Sequence, residues 1–409
     1  MGTTLNEEEV SEVVRSFAGD HCELVSYAVD PARDHPSGFL GEHKRLRINF
    51  RRGKGDEEKI CFVKKMPEKV PVQWEYLKRV RCFEKEIGMY RTVFPELERS
   101  AEGVAKWRPE CYFSKGEELL VLEDLAQEGY CMYAERKLMD EEHILLTLQA
   151  LARMHACSII YEAGENRKPI REAFSKYLFE TVATAEKGHP GNTSHEAAIS
   201  AQLKLVDLLP DYTPQQKEVI KRDLPFRMRR IFTLVKPSQK FRNVVVHGDL
   251  WSNNVLFLDD GHTKNAKIVD FQLARFAPPA HDIVTFLYVV QNKKFREENH
   301  LRLLRHYYDE LSSCLRKNGL QAKDFLTWYE LLGTCDYYEE LGIITALFFF
   351  QFILTPPDLC AKYFTSPEKC PLVDPELRSE VVTECFLKDS IYRERVTEVM
   401  NELIREHIL

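Results

Sequence analysis

Between Val244 and Asn254 the chain reads Val-Val-Val-His-Gly-Asp-Leu-Trp-Ser-Asn-Asn, and a second apolar run, Ala266 to Val269, ends in Asp270-Phe271. Asp249, Asn254 and Asp270 therefore follow segments that read as buried strands, which sets three oxygen-bearing side chains around one cleft. Phosphoryl transfer from a nucleotide needs such a set. One carboxylate, Asp249, orients a hydroxyl and accepts its proton; an amide and a carboxylate, Asn254 and Asp270, supply oxygen ligands for Mg²⁺.

The Asp-x4-Asn spacing is similar to that of the protein-kinase catalytic loop, with His-Gly-Asp in place of His-Arg-Asp. The substitution points to the small-molecule branch of the kinase-like fold. By this spacing Asp249 is the base, and His247 is expected to prop the loop through hydrogen bonds. Asp270 and Asp282 lie twelve residues apart, which leaves no room for a long activation segment, so protein kinase activity is not expected. Asp282 either caps the helix it begins or braces the catalytic loop by accepting backbone N–H groups. His155, on a helix without a second ligand at metal spacing, reads as structural.

A lysine and a glutamate upstream must hold the nucleotide phosphates. The strand-like Phe62-Val63-Lys64-Lys65 offers two lysines, which alternation sends to opposite faces, and the pattern does not choose between them. On the helical stretch that follows, Glu84 and Glu86 flank the stripe Val80, Phe83, Ile87 and Tyr90. Glu86 sits nearer its buried side and is the favoured partner. Gly38 and Gly41 are weak candidates for a phosphate loop. Leu119 to Leu125 reads as an apolar strand leading into a hinge, where backbone groups near Glu123 and Leu125 would meet adenine.

These residues need a scaffold. A short amphipathic helix over 5–18 precedes a hairpin, 46–50 and 59–65, with glycines in its turn. Helical spacing runs from Val70 to Tyr90 and is expected to stop at Pro95. Two strands follow, 110–113 and 118–122. Helices are expected over 140–157, 171–187, 214–235, 282–291, 296–317, 323–354 and 375–407, interrupted by the catalytic strands at 244–246 and 255–270. The fold class is α+β and bilobal: a small N-terminal lobe, 1–125, with an antiparallel sheet plus a helix, and a larger, mainly helical C-terminal lobe, 126–409.

At 409 residues, with 44% hydrophobic and 30% charged, the chain has the composition of a globular protein with a substantial core. A net charge of −7 argues against a nucleic-acid or anionic-membrane partner. The basic runs Lys44-Arg45 and Arg227 to Arg230 read as solvated faces. Eleven cysteines, without a Cys-x-x-Cys pair, argue against a zinc site or disulfide framework and for a reducing compartment. The N-terminus shows no apolar run, so a cytoplasmic location is expected. The longest apolar stretch, Ile343 to Leu354, is shorter than the roughly 20 residues of a membrane span and reads as a buried helix, without membrane insertion.

Taken together, Val63-Lys64-x-x-Pro67, Phe83-x-x-Glu86 with Tyr90, Leu122-Glu123-Asp124-Leu125, Leu151-Ala152-x-x-His155-Ala156, the segment His247 to Asn254 and Asp270-Phe271-Gln272 resemble the ecdysteroid kinase-like family, also described as choline-kinase-like proteins. The resemblance runs from about residue 38 to about 290. It implies a protein-kinase-like fold and ATP-dependent phosphorylation of a small-molecule hydroxyl substrate, a steroid or other lipophilic alcohol, in hormone inactivation or detoxification. It selects Lys64 over Lys65, pairs it with Glu86, and carries over Asp249 as base and Asn254 with Asp270 as Mg²⁺ ligands. The aromatic residues after 325 (Trp328, Tyr329, Tyr337, Tyr338, Phe348 to Phe350, Tyr363 and Phe364) offer an apolar pocket for such an acceptor. Two alternatives stand beside this reading. One is a choline or ethanolamine kinase, with Asp336, Glu339 and Glu340 caging a cation between Tyr337 and Tyr338; the other is a catalytically silent kinase-fold binding protein.

Overall fold

The computed structural model describes residues 5–31, 41–67, 71–364 and 370–409. Helix α1 (Glu7–Ala18) opens with a capping box between Asn6 and Glu9, which satisfies two backbone donors that the first turn leaves open. Its stripe Val10, Val13 and Val14 is buried on a five-stranded antiparallel sheet of order β1-β2-β3-β5-β4. The strands are β1 (Cys22–Pro31), β2 (Glu42–Arg52), β3 (Gly55–Lys65), β4 (Cys111–Lys115) and β5 (Leu119–Glu123). The β2–β3 turn passes through Gly53 at φ 62°, a left-handed conformation that glycine adopts without a Cβ penalty. Alternation along β3 puts Cys61 and Val63 into the core beneath α1 and turns Phe62 and Lys64 to the other face, into a large cavity.

The stretch after β3 is not one helix ended by Pro95. It divides into α2 (Pro71–Val80), α3 (Cys82–Gly88), a π turn (Met89–Val93) and α4 (Phe94–Ser100); Val70 and Gly38 lie outside the described residues. Arg81 at φ 60° separates α2 from α3. Pro95 falls in the first turn of α4, directly after the widened π register, where its missing N–H costs little.

Past β5 come a 3₁₀ turn (Leu125–Glu128) and β6 (Cys131–Met132), and the chain then becomes mainly helical. The elements are α5 (Glu141–Ala163), α6 (Ile170–Ala173), α7 (Pro190–Leu208), α8 (Pro214–Arg229), α9 (Ile231–Leu234), β7 (Val244–Val246), β8 (Val255–Asp259), β9 (Lys264–Ile268), β10 (Arg275–Ala277), α10 (Ala280–Val290), α11 (Lys293–Lys317), α12 (Trp328–Tyr337), α13 (Glu339–Ile353), α14 (Pro357–Tyr363), α15 (Pro375–Lys388) and α16 (Ser390–His407). Helix α5 is long and apolar enough to span a membrane, and 78% of its apolar window is buried inside the protein. Helices α13 and α14 pass the same test only as a pair, bent by 80°.

Three helical expectations give way. Residues 171–187 are helical only at their start, because the Glu180 carboxylate takes the N–H groups of Thr181, Val182 and Ala183 and so competes with a helical ladder. Helix α7, absent from the sequence reading, starts at Pro190-Gly191; proline at the first helical position is favourable, and His189 caps it. The runs 323–354 and 375–407 are each broken, the second at Asp389, whose carboxylate accepts the Tyr392 N–H and caps α16. Strand β1 was also missed, since its exposed edge lacks a buried alternation.

Candidate functional site

β7 and β10 pair antiparallel, and the loop from His247 to Asn254 leaves the end of β7. Its shape is set by Asp282 in the first turn of α10. Asp282 Oδ2 accepts the His247 N–H at 2.6 Å, and Oδ1 accepts the Gly248 N–H at 2.8 Å. Asp282 is therefore a brace; the α10 cap position belongs to Pro279. His155 of α5 backs it, with Nε2 3.2 Å from Asp282 Oδ2 and Nδ1 2.8 Å from the Tyr307 hydroxyl. All three side chains are buried.

Within the loop, His247 Nε2 faces the Val269 carbonyl at 2.8 Å, and Nδ1 accepts the Asp249 N–H at 3.1 Å. A carbonyl can only accept, so the proton sits on Nε2 and both nitrogens are committed. Burial holds this imidazole below its ordinary pKa, and it props the loop. Gly248 adopts φ 78°, and a Cβ there would lie 2.4 Å from the Leu273 carbonyl oxygen and 3.0 Å from Arg275 Nε. No side chain fits at the middle position of His-Gly-Asp.

Asn254 donates Nδ2 to the Asp249 carbonyl at 2.7 Å and takes the Val269 N–H on its own carbonyl at 2.9 Å, which ties the loop to the β9 end. Its amide oxygen is the atom left to meet a cation. Asp270 sits at φ 67°, a conformation disfavoured for a residue with a Cβ and characteristic of functional turns. Its neighbour Phe271 is fully buried among the rings of Tyr90, Phe94, Trp107 and His247.

Lys64 Nζ lies 2.7 Å from Glu86 Oε2 and 2.9 Å from Asp270 Oδ1. Lys65 turns away, its Nζ 3.8 Å from Glu42, and Glu84 pairs with Arg81. Burial works against the Lys64 charge, but Asp270 and Glu86 overcome it and raise its pKa. Burial pushes the Glu86 carboxyl up to about 7 against the pull of Lys64, while Lys64 outweighs burial at Asp270 and holds that carboxyl low. Burial and the Asp270 charge push Asp249 well up. Asp249 and Asp270, side by side in the cavity, are thus pushed in opposite directions.

Sequence reasoning missed several residues here. Lys85, wholly buried beside Glu86, donates to the carbonyls of Phe179 and, at 2.7 Å, Ala274, which fastens α3 to the segment after Asp270; a lone lysine gives no signal of this. His43 and Arg45 of β2 stand opposite Lys64 and Phe62 and line the cavity, a placement strand alternation could have given. Arg45, read as part of a solvated run, is paired with Asp124 at 2.8 Å. Gly41 lines the cavity, yet a Cβ there would meet Lys64 Cε at an ordinary 3.7 Å. Glu123 and Leu125 also line it, although the Glu123 carboxylate is engaged with Lys267 at 3.0 Å.

The cavity has a volume of about 820 Å³ and runs continuously from this hinge side, past Lys64, Asp270 and Asp249, into an apolar chamber. Ile231, Leu341, Phe348, Phe349, Phe352 and Leu372 line the chamber. Of the aromatic residues expected there, Phe348 and Phe349 contribute, whereas Phe350 is core. The proposed cation cage does not form: none of Asp336, Tyr337, Tyr338, Glu339 and Glu340 lines the cavity. Glu340 is paired with Arg230 at 2.5 Å, and Glu339 accepts the Tyr288 hydroxyl at 2.9 Å.

A family model described as the ecdysteroid kinase-like family matches residues 37–320. No curated protein matches the sequence. Among solved structures, an ethanolamine kinase of Plasmodium vivax is 12% identical, with 97% of this chain and 93% of that one covered and a TM-score of 0.41. A choline/ethanolamine kinase family protein of Mesorhizobium loti is 14% identical, with 90% and 96% covered and a TM-score of 0.38.

Proposed function

The chain belongs to the ecdysteroid kinase-like family and is a small-molecule kinase; on that premise we propose that it transfers the γ-phosphoryl group of Mg²⁺-ATP to a hydroxyl of an ecdysteroid-like or other lipophilic alcohol. In this reading Lys64, fixed by Glu86, holds the nucleotide phosphates, and backbone groups around Glu123 and Leu125 receive the base. Asn254 and Asp270 would hold Mg²⁺ through one amide and one carboxylate oxygen. That fits a cation bound mainly by water and substrate phosphates, and among the described residues no cluster of three His, Cys, Asp or Glu could hold a metal by itself. The chemistry a bound Mg²⁺ supplies is neutralisation of charge across the β- and γ-phosphates.

Asp249 orients the acceptor hydroxyl and takes its proton as the new O–P bond forms. Phosphoryl transfer asks chiefly for positioning, and the hydrogen bonds of Asp282 and His247 to the loop backbone hold Asp249 in place. The observation that carries the acceptor class is the chamber beyond Asp249. Helices α9 and α13 bring Ile231, Leu341, Phe348, Phe349 and Phe352 to its wall, α7 and α10 bring the neutral polar side chains Ser194, His195, His281 and Thr285, and none of the four helices brings a carboxylate, which supports an apolar alcohol as acceptor. The proposal includes a reducing, cytoplasmic setting, in keeping with eleven free thiols.

The test is a competition. With Mg²⁺-ATP and equal concentrations of a hydroxysteroid and choline, mass spectrometry should find the phosphorylated steroid. Phosphocholine as the main product would reverse the acceptor assignment.

A further inference from the structure

Two histidines stand in the apolar chamber and take no part in the chemistry above. His281, beside the brace Asp282, is 3% exposed, and its ring packs on Tyr338 with centroids 4.4 Å apart. The Leu234 backbone carbonyl bonds to this ring, while Nε2 is buried without a partner. Nδ1 is therefore the nitrogen that meets the carbonyl, and it carries the proton, leaving Nε2 with a lone pair. His195 on α7 likewise commits Nδ1, which lies 2.8 Å from the Gly191 carbonyl, and its ring packs on Phe348 at 4.4 Å, so its Nε2 is the acceptor nitrogen. Both line the cavity.

Burial holds both imidazoles neutral, His195 down to about 4 and His281 to about 3. Thr285, one turn from His281 on the same wall, commits its hydroxyl proton to the His281 carbonyl at 2.5 Å. Each of these three side chains offers the chamber a lone pair and no proton. A buried acceptor without a donor is costly, and native structures rarely keep one without use. What satisfies it is a ligand that brings O–H groups.

Resting on the reading of the acceptor as a lipophilic alcohol, we propose that His281, with His195, is a specificity-determining residue that accepts hydrogen bonds from hydroxyls of the substrate other than the one phosphorylated. The preferred acceptor is then a polyhydroxylated apolar alcohol. A chamber wall with fixed acceptors discriminates strongly, because a substrate lacking the matching hydroxyl leaves them desolvated and unpaired.

The experiment compares kcat/KM for a steroid triol and for a monohydroxysteroid of the same skeleton, using the full chain with Mg²⁺-ATP. The wild type should prefer the triol by about 10-fold or more. His281→Phe should bring that ratio toward one, chiefly through the KM of the triol, with the KM for ATP held. His195→Phe, on a different helix, supplies a second variant should the first fail to fold. Equal kcat/KM for the two steroids in the wild type, or an unchanged ratio in the variants, would overturn the assignment. Failure of the underlying reading looks different: the wild type would phosphorylate no lipophilic alcohol at all, and the assignment would fall with it.

Discussion

Lys64 Nζ stands 2.7 Å from the Glu86 carboxylate, with both side chains almost wholly buried and Asp270 completing the trio at 2.9 Å. The arrangement is asymmetric. Removing the lysine leaves two carboxylates facing each other, whereas removing Glu86 leaves a lysine still paired to Asp270. Lys64→Met should therefore cost about 3–5 kcal/mol of stability, and Glu86→Gln distinctly less, in denaturant unfolding of each variant. Equal costs would show that the trio does not act as one unit.

Asp282 receives two backbone donors of the catalytic loop and touches no reacting atom, so its role is positioning. Asp282→Asn keeps the size but replaces one acceptor oxygen with a donor group, and the loop must shift. A drop in kcat of about 100-fold is expected for a displaced catalytic group, with the KM for ATP little changed. A variant that loses ATP affinity and keeps kcat would contradict this assignment.

Two glycines with left-handed backbones should respond differently to alanine. Gly53, at φ 62° in the β2–β3 turn, has open space where a Cβ would go, so Gly53→Ala carries only the conformational cost, about 1–2 kcal/mol. Gly248 adds a 2.4 Å clash with a backbone oxygen. Gly248→Ala should lower the melting temperature further and abolish turnover; similar melting temperatures for the two variants would show that the loop has slack.

The neutral histidines make a pH-dependent contribution with a defined sign. In the unfolded chain His195 binds a proton as pH falls through about 6.5, while in the folded protein it waits until about 4. Between those values the unfolded state takes up more protons, so stability is lost as pH falls. Glu86 and Asp249, both raised, act in the opposite direction over part of that window, so the comparison must be with the parent. Going from pH 7 to pH 5, His195→Phe should gain about 2 kcal/mol relative to the wild type. A pH-independent difference would mean that His195 is solvated or already charged.

How much of this the sequence disclosed follows the range of the interactions involved. Lys64 was told from Lys65 only by the family resemblance, since alternation leaves both open, whereas the residues from His247 to Asn254 and Asp270 were legible because chain spacing and strand ends fix them locally. The hairpin turn at Gly53 and most helices of the C-terminal part were legible for the same reason. What escaped depends on long-range packing. Lys85 reads as a surface lysine until Phe179 and Ala274 close over it, and α7 hides behind Pro190-Gly191, which reads as a turn. The supposed cage of Tyr337, Tyr338 and three acids failed because Arg230 and Tyr288, remote in sequence, claim two of the carboxylates. Both chamber histidines were passed over, since their proton positions are set by carbonyls that only the fold brings near.

The most direct test of the account is Mg²⁺-dependent phosphoryl transfer from ATP to a hydroxysteroid by the wild type and by Asp249→Asn. Transfer by the wild type is expected, with a loss of about 100- to 10,000-fold in kcat in the variant and with ATP binding and melting temperature retained, because asparagine keeps the size of the side chain where burial and Asp270 already disfavour a charge. Undiminished transfer by Asp249→Asn, or a wild type that does not bind Mg²⁺-ATP, would contradict it.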